Sequence, residues 1–400
     1  MDERPILYPE SAMDPAISLL RDLVAIDSVN PSLVAGAAGE AEIGRAIEAH
    51  MRRIGLDVVR QPVDGERANI IGVLEGRTKG RSLMFCGHMD TVGVDGMAAP
   101  FAPEERDGRV YGRGAQDMKG GLAAMIDAAR VVASTGFDAG RLVVAAVIDE
   151  EYESRGADAL VRAWKADAGV VTEPTDLQIA VAHKGFAWFD IETRGRAAHG
   201  SRPADGRDAI LYMGRILAEL ESLNRRLQAG ITHPLLGAAS LHASTIQGGR
   251  ELSSYPDHCA LKLERRTIPS ETVQKVWQEL DDMLGRLRSS DTAFEAEARL
   301  LFSRPPYEVA DGHPISQTVA RAAQRISGRP QPFGGMSFWT DAAVLGEAGI
   351  PSVLYGPGGG GLHSTEEFVV LEDVLTCRDV LAELADEWCR KTGTSAVGAP

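Results

Sequence analysis

Cysteine is scarce in this chain. Its four copies, Cys86, Cys259, Cys377 and Cys389, form no CxxC pair and lack the spacing of a disulfide framework, which argues against a fold held by disulfides. Basic residues are outnumbered: 42 Lys and Arg stand against 57 Asp and Glu, a formal charge of −15. That balance argues against nucleic acid or an anionic membrane as a partner, and it means that an anionic substrate must be met by local positive charge or by metal. No apolar run is long enough to span a membrane. The opening stretch MDERPILYPES lacks a basic region followed by an apolar one, so no signal peptide is expected. A GxSxG elbow is missing, which turns the reading away from serine hydrolases. The glycine run Gly358–Gly361 has neither the Walker lysine nor GxGxxG spacing, and internal repeats are absent. What is present is 400 residues, 44% hydrophobic and 25% charged, enough for a full core and for two domains. A cytoplasmic enzyme is the expectation, with no nucleic-acid and no membrane partner.

The organising stretch is RSLMFCGHMDTV, Arg81–Val92. Ser82–Cys86 reads as a strand buried on both faces. It then presents His88 and Asp90, whose spacing in extended chain puts imidazole and carboxylate on one side. A carboxylate behind an imidazole is a common support for a metal ligand. Ala16–Ile26 and Glu40–Ile54 have helical periodicity, and Asn69–Leu74 reads as a strand. The loop Gly112–Gly121, GRGAQDMKGG, delivers Asp117 ahead of a helix over Leu122–Val132. Arg141–Ile148 is a buried strand ending in Asp149-Glu150-Glu151, and Ala168–Thr172 is another ending in Glu173. Strands alternating with helices predict an α/β domain with a mostly parallel sheet.

The texture changes at Lys184. Strands are expected over Phe186–Thr193, Ala239–Ile246, Cys259–Arg265 and Phe294–Phe302, with helices over Asp208–Leu227 and Thr272–Leu287. That order, βαββαβ, is a ferredoxin-like unit. It predicts an inserted domain over 184–303, with 1–183 and 304–400 forming the α/β domain. In the second part, helices are expected over Pro314–Ile326, from Phe338 to Ala348 and around Val374–Cys389. Ser352–Tyr355 should be a strand, and the tail Lys391–Pro400 should be disordered.

His88, Glu150, Glu151 and Glu173 all fall at carboxyl ends of predicted strands, and His363 follows another after a glycine loop. In open α/β sheets ligands bind along that edge. Two histidines and several carboxylates suit zinc or a similar divalent ion. Five ligands with one shared carboxylate suit two ions about 3.5–4 Å apart. Of the adjacent pair Glu150 and Glu151, one can bind metal while the other faces the attacking water. His50, His183, His233, His242, His258 and His313 show no partner pattern and read as structural. Trp164, Trp188, Trp277, Trp339 and Trp388 read as packing, and Phe338 with Trp339 as core or as an acyl pocket.

GHMDTV, GRGAQDMKGG, DEEYESRGA, TEPTD and LHSTEE, in that order, resemble the zinc-dependent amidohydrolases that include acetylornithine deacetylase, succinyl-diaminopimelate desuccinylase, aminoacylase and glutamate carboxypeptidase. The resemblance covers nearly the whole chain and implies two Zn2+ per chain, with Co2+ or Mn2+ as substitutes. It implies that His88 and Glu173 complete one zinc, Glu151 and His363 the other, and that Asp117 bridges them. Glu150 would be the general base, and Asp90 would orient His88. The inserted domain would be a dimerisation or lid domain forming a homodimer through 184–303. His199 in RAAHGS would polarise the scissile carbonyl in the partner subunit's site, and Arg266 in ERRTIP would hold the substrate carboxylate, with Arg265 the alternative. Thr340, in a Thr-Asp pair, falls at the site. Two positions depart from the family: Ser253 stands where an Asn is frequent three residues before Pro256, and Glu264 where an Asp is frequent. A serine cannot supply an amide's donor and acceptor together. The activity implied is hydrolysis of the amide in an N-acyl amino acid, or, with the same centre, of a short peptide by a dipeptidase or carboxypeptidase.

Overall fold

Runs such as Leu142–Ile148, wholly buried and without a polar residue, can only be strands covered on both faces. The computed structural model describes residues 13–390. The opening stretch read against a signal peptide and the tail expected to be disordered lie outside them. The chain divides into two compact units: Met1–Val181 with Val309–Phe333 and Thr340–Pro400, and Ala182–Glu308 with Gly334–Trp339. The second is wider than the 184–303 read from sequence and takes in the Gly334–Trp339 segment.

In the first unit the strands stand in the order Asp57–Asp64, Arg67–Glu75, Ala139–Val147, Thr78–His88, Ala168–Val171, Ser352–Leu354, Ile179–His183. The centre is parallel: Thr78–His88 pairs in parallel with Ala139–Val147 and Ala168–Val171, and the latter with Ser352–Leu354. The outer pairings are antiparallel. His88 lies opposite Val147, and Cys86 opposite Val171. The residues following these three strands therefore emerge side by side at one edge. Helices Pro15–Val24, Gly120–Thr135, Pro314–Ser327 and Leu371–Arg390 pack with one another, while Ala41–Arg53 packs on the antiparallel strands. No helix among the described residues is long and apolar enough to cross a membrane.

Three local readings differ. The helix expected from Phe338 starts only at Ala342 and ends at Glu347; Phe338 and Trp339 belong to the second unit. Asp57–Asp64 is a strand with half-exposed residues on both faces, so it carries no apolar signal. A small antiparallel sheet joins Gly359–Gly360, Phe368–Val370, Arg109–Tyr111 and Glu104–Arg106, segments too short for periodicity to show.

The second unit has the βαββαβ order: Gly185–Arg194, helix Ala209–Ala229, Ser240–Gly248, His258–Thr267, helix Val273–Ser290, Glu295–Arg304. Its strands lie in the order Ser240–Gly248, His258–Thr267, Gly185–Arg194, Glu295–Arg304, all antiparallel. Period-2 alternation buries Phe189 and Ile191 with Cys259, Leu261 and Leu263, against Met213, Ile216, Leu220, Leu280 and Met283 of the helices.

Candidate metal centre and active site

His88 is the last residue of the central strand and is buried. Its Nδ1 lies 2.9 Å from the backbone carbonyl oxygen of Asp90, whereas the Asp90 carboxylate is 3.7 Å away. A carbonyl only accepts, so Nδ1 carries a proton and Nε2 is the nitrogen turned toward Asp117 and Glu173, at 3.1 and 3.8 Å. The support for His88 thus comes from the main chain of Asp90 rather than its side chain, contrary to the reading from spacing. The Asp90 carboxylate accepts instead from the backbone N–H groups of Glu150 and Glu151, both at 3.1 Å, and from Asn30 at 2.8 Å.

Asp117 sits at a kink within Ala115–Lys119, with extended backbone (φ −116, ψ 94), in a segment entered through Gly114 in the left-handed region. Its two oxygens face different ways: Oδ1 lies 3.1 Å from His88 Nε2, and Oδ2 lies 3.3 Å from His363 Nε2. The helix that follows can approach so closely because of Gly121, where a Cβ would fall 2.0 Å from the carbonyl oxygen of Thr172, the residue before Glu173. His363 itself has φ 58, and Gly361 before it has φ 81. Its Nε2 lies 3.3 Å from both Asp117 and Glu151, and its side chain is 54% exposed where that of His88 is 1% exposed. The centre is therefore closed on the His88 side and open on the His363 side.

His88, Asp117 and Glu173 form one three-ligand cluster, and Asp117, Glu151 and His363 a second, with ligand atoms in each within 4.8 Å of one another. Asp117 belongs to both. Burial pushes the carboxyl groups of Glu150 and Glu173 well above the ordinary range, Glu150 further through the charge of Glu173. Burial, with the charge of Asp117, takes Glu151 to about 7. Hydrogen bonds to Asp117 and Glu151 raise His363 to about 10. Burial works against the charge of Asp117, yet hydrogen bonds with His363 and His88 hold it below the ordinary carboxylate range. Glu151 Oε1 is buried with no hydrogen-bond partner. This converging excess of acceptor oxygen fits divalent cations, and imidazole with carboxylate suits zinc, cobalt or manganese.

Some supporting groups were given no role from the sequence. Asp149, at φ 67, turns the chain so that Glu150 and Glu151 leave the strand end. Its carboxylate accepts from Arg67 at 2.9 Å, Asn30 at 3.2 Å and Ser32 at 3.2 Å, and its N–H donates to Glu40. A charged residue opening a buried strand, as Arg67 does, was the available signal.

The remaining candidates are placed as follows. Thr340 is buried, with its hydroxyl accepting from Ala342 N at 3.2 Å, one residue ahead of Asp341, the N-cap of the short helix Ala342–Glu347. In the second unit, His199 is exposed on a loop whose backbone joins that of Ser253: Gly200 N donates to Ser253 O at 2.7 Å. His199 Nδ1 accepts from Ser201 N at 3.2 Å. A backbone N–H only donates, so in the neutral ring Nε2 carries the proton. Arg265 and Arg266 face opposite sides of their strand. Arg265 is buried and ion-paired with Glu271, while Arg266 is half-buried, paired with Glu264 and 5.6 Å from the Phe186 ring.

The profile of Peptidase family M20/M25/M40 matches residues 84–387. Acetylornithine deacetylase of Myxococcus xanthus is 32% identical over 335 residues, covering 81% of this chain and 85% of its own. N-formyl-4-amino-5-aminomethyl-2-methylpyrimidine deformylase of Bacillus subtilis (strain 168) is 27% identical over 415 residues, 96% of each chain. Among solved structures, the Bacillus subtilis YXEP protein, a dinuclear metal-binding peptidase from family M20, superposes with a TM-score of 0.71. It shares 17% identity, and the match covers 94% of this chain and 98% of that one.

Proposed function

This chain belongs to peptidase family M20/M25/M40, and from that premise we propose that it hydrolyses the amide bond of an N-acyl amino acid with two zinc ions, for which Co2+ or Mn2+ can substitute. The observation that carries the reading is the pair of three-ligand clusters sharing Asp117, with Glu150 on the same turn as Glu151. His88, Asp117 and Glu173 would hold one ion and Asp117, Glu151 and His363 the other. Bound there, divalent ions supply Lewis acidity and lower the pKa of water.

The chain's own groups do the rest. Glu150, its backbone N–H fixed by Asp90, accepts the proton of the attacking water and returns it to the leaving amine. His199, with Nε2–H as donor, supports the charge developing on the carbonyl oxygen in the partner subunit's site. Arg266, paired with Glu264 but with its side chain still one-third exposed, meets the substrate carboxylate in this reading, whereas Arg265 is buried against Glu271. Thr340 Oγ1 accepts from Ala342 N, which leaves its O–H to donate to the substrate, and Ser253 holds the His199 loop through its backbone.

The similarity to acetylornithine deacetylase and to a deformylase favours a small N-acyl group. A peptidase reading of the same centre draws on the YXEP structure, at an identity that carries fold alone. Turnover of N-acetyl, N-formyl and N-succinyl amino acids against dipeptides, with metal added, separates them; activity confined to dipeptides would overturn the deacylase reading. We place the enzyme in the cytoplasm, as its free, buried cysteines suit a reducing compartment. We propose a homodimer through the second unit. Its edge strand Ser240–Gly248 is mostly exposed along its length, and Ile210, Leu211, Ile246 and Leu252 are exposed in the same unit, features that pairing with a second copy would cover.

A further inference from the structure

Arg113 and Glu367 form an ion pair at 2.6 Å with side chains 3% and 1% exposed. Neither belongs to a ligand cluster. The Glu367 carboxylate accepts from four donors: Gln116 N at 2.9 Å and Asp117 N at 3.1 Å on Oε1, Gly114 N at 3.0 Å and Arg113 Nη1 at 2.6 Å on Oε2. A carboxylate has about four lone-pair positions, so this one has none left for an ion. Arg113 uses its remaining edges elsewhere: Nε donates to Gly93 O and Nη2 to Ser364 O, both at 3.0 Å. The backbone adds one more tie, Gly112 N to Glu367 O at 3.1 Å.

The pair joins the stretches that carry Asp117 and His363 and ties them to Gly93, five residues past His88. Asp117 lies within 113–117, beside Arg113, and 363–367 begin at His363. We infer that the buried Arg113–Glu367 pair is a positioning device that sets Asp117 against His363 and so determines how tightly the ion at Asp117, Glu151 and His363 is held. This rests on the two-metal reading above and goes beyond it in predicting that the two sites respond unequally. His88 is fixed by its own bond to the Asp90 carbonyl and Glu173 lies outside the braced stretches. The ion at Asp117, Glu151 and His363 depends on the brace for two of its ligands, the other for Asp117 alone.

The test is stepwise titration of the metal-free full chain with Zn2+ against a competing chelator, for wild type and Glu367→Gln. Gln keeps the size but places an amide donor among donors. One dissociation constant should rise about 10–100-fold, the usual cost of removing a group that orients a ligand, and the other should change by less than about threefold. In a Glu151→Ala background, which already lacks that site, Glu367→Gln should leave the remaining constant within the same threefold. Should Glu367→Gln fail to fold, Arg113→Lys keeps the charge, cannot span both carbonyls, and should loosen the same ion. Two constants unchanged, or both weakened alike as a general loss of stability would do, overturn the inference. A wild type that takes up no divalent ion overturns the two-metal reading instead.

Discussion

Glu150 and Glu151 are adjacent in sequence, and the turn at Asp149 gives them different neighbours. Glu151 faces His363, while Glu150 lies beside Glu173 and His88. Glu151→Ala should lower metal content and activity together. Glu150→Ala should keep the metal and lose at least ~10² in kcat, the scale of a missing general base; elemental analysis alongside kcat checks both, and near-wild-type turnover would refute the assignment. Arg265 and Arg266 permit a similar separation. Arg266→Ala should raise KM by roughly 10–100-fold for free-acid substrates, as loss of a charge-assisted hydrogen bond does, and should abolish discrimination against amidated ones. Arg265→Ala leaves Glu271 without its buried partner and should cost roughly 3–5 kcal/mol in urea unfolding, with KM unchanged in the folded fraction.

At the level of elements, the approach of the helix Gly120–Thr135 to the end of the strand Ala168–Val171 is what allows Asp117 and Glu173 to meet. An alanine normally strengthens a helix by up to about 1 kcal/mol relative to glycine. Gly121→Ala should do the opposite, because its methyl would strike the Thr172 carbonyl. Metal content and Tm should both fall, and a Tm at or above wild type would show that the contact relaxes without consequence. Elements with an unbroken apolar run or strict alternation, Ser82–Cys86 and Cys259–Arg265 among them, were legible in the sequence because burial there is set by local pattern. Asp57–Asp64 was not, since an edge strand with half-exposed faces has no periodic signal. The small sheet pairing Val110 with Val369 was invisible for another reason: its strands gain meaning only from a partner far along the chain. The residues that converge in the two clusters could be picked out from their places at strand ends and in glycine-rich loops. The groups that brace them, Arg113, Glu367, Arg67 and Asn30, look like ordinary polar residues until the chain is folded.

For the whole molecule, the proposed dimer makes a claim that neither unit makes alone. If His199 serves the partner's centre, mixing inactive His199→Ala with inactive Glu150→Ala and allowing subunit exchange restores one complete site in each mixed dimer. Half the dimers in a statistical mixture are mixed, so about a quarter of wild-type activity should return. No recovery despite demonstrated exchange would place His199 in its own chain's site or outside catalysis. The order of the ligands along the chain has a separate consequence. His88, Asp117, Glu151, Glu173 and His363 come from stretches far apart in sequence, so the two ions proposed above would act as a reversible staple across nearly the whole first unit. Binding to the folded state alone adds stability that grows with the logarithm of free metal. Trypsin should therefore cut the chelated protein faster than the loaded one, and equal rates would mean that the ions contribute nothing to integrity. If the ions are zinc, a cell short of zinc would lose the protein to proteolysis, so that its amount as well as its turnover would follow the metal supply.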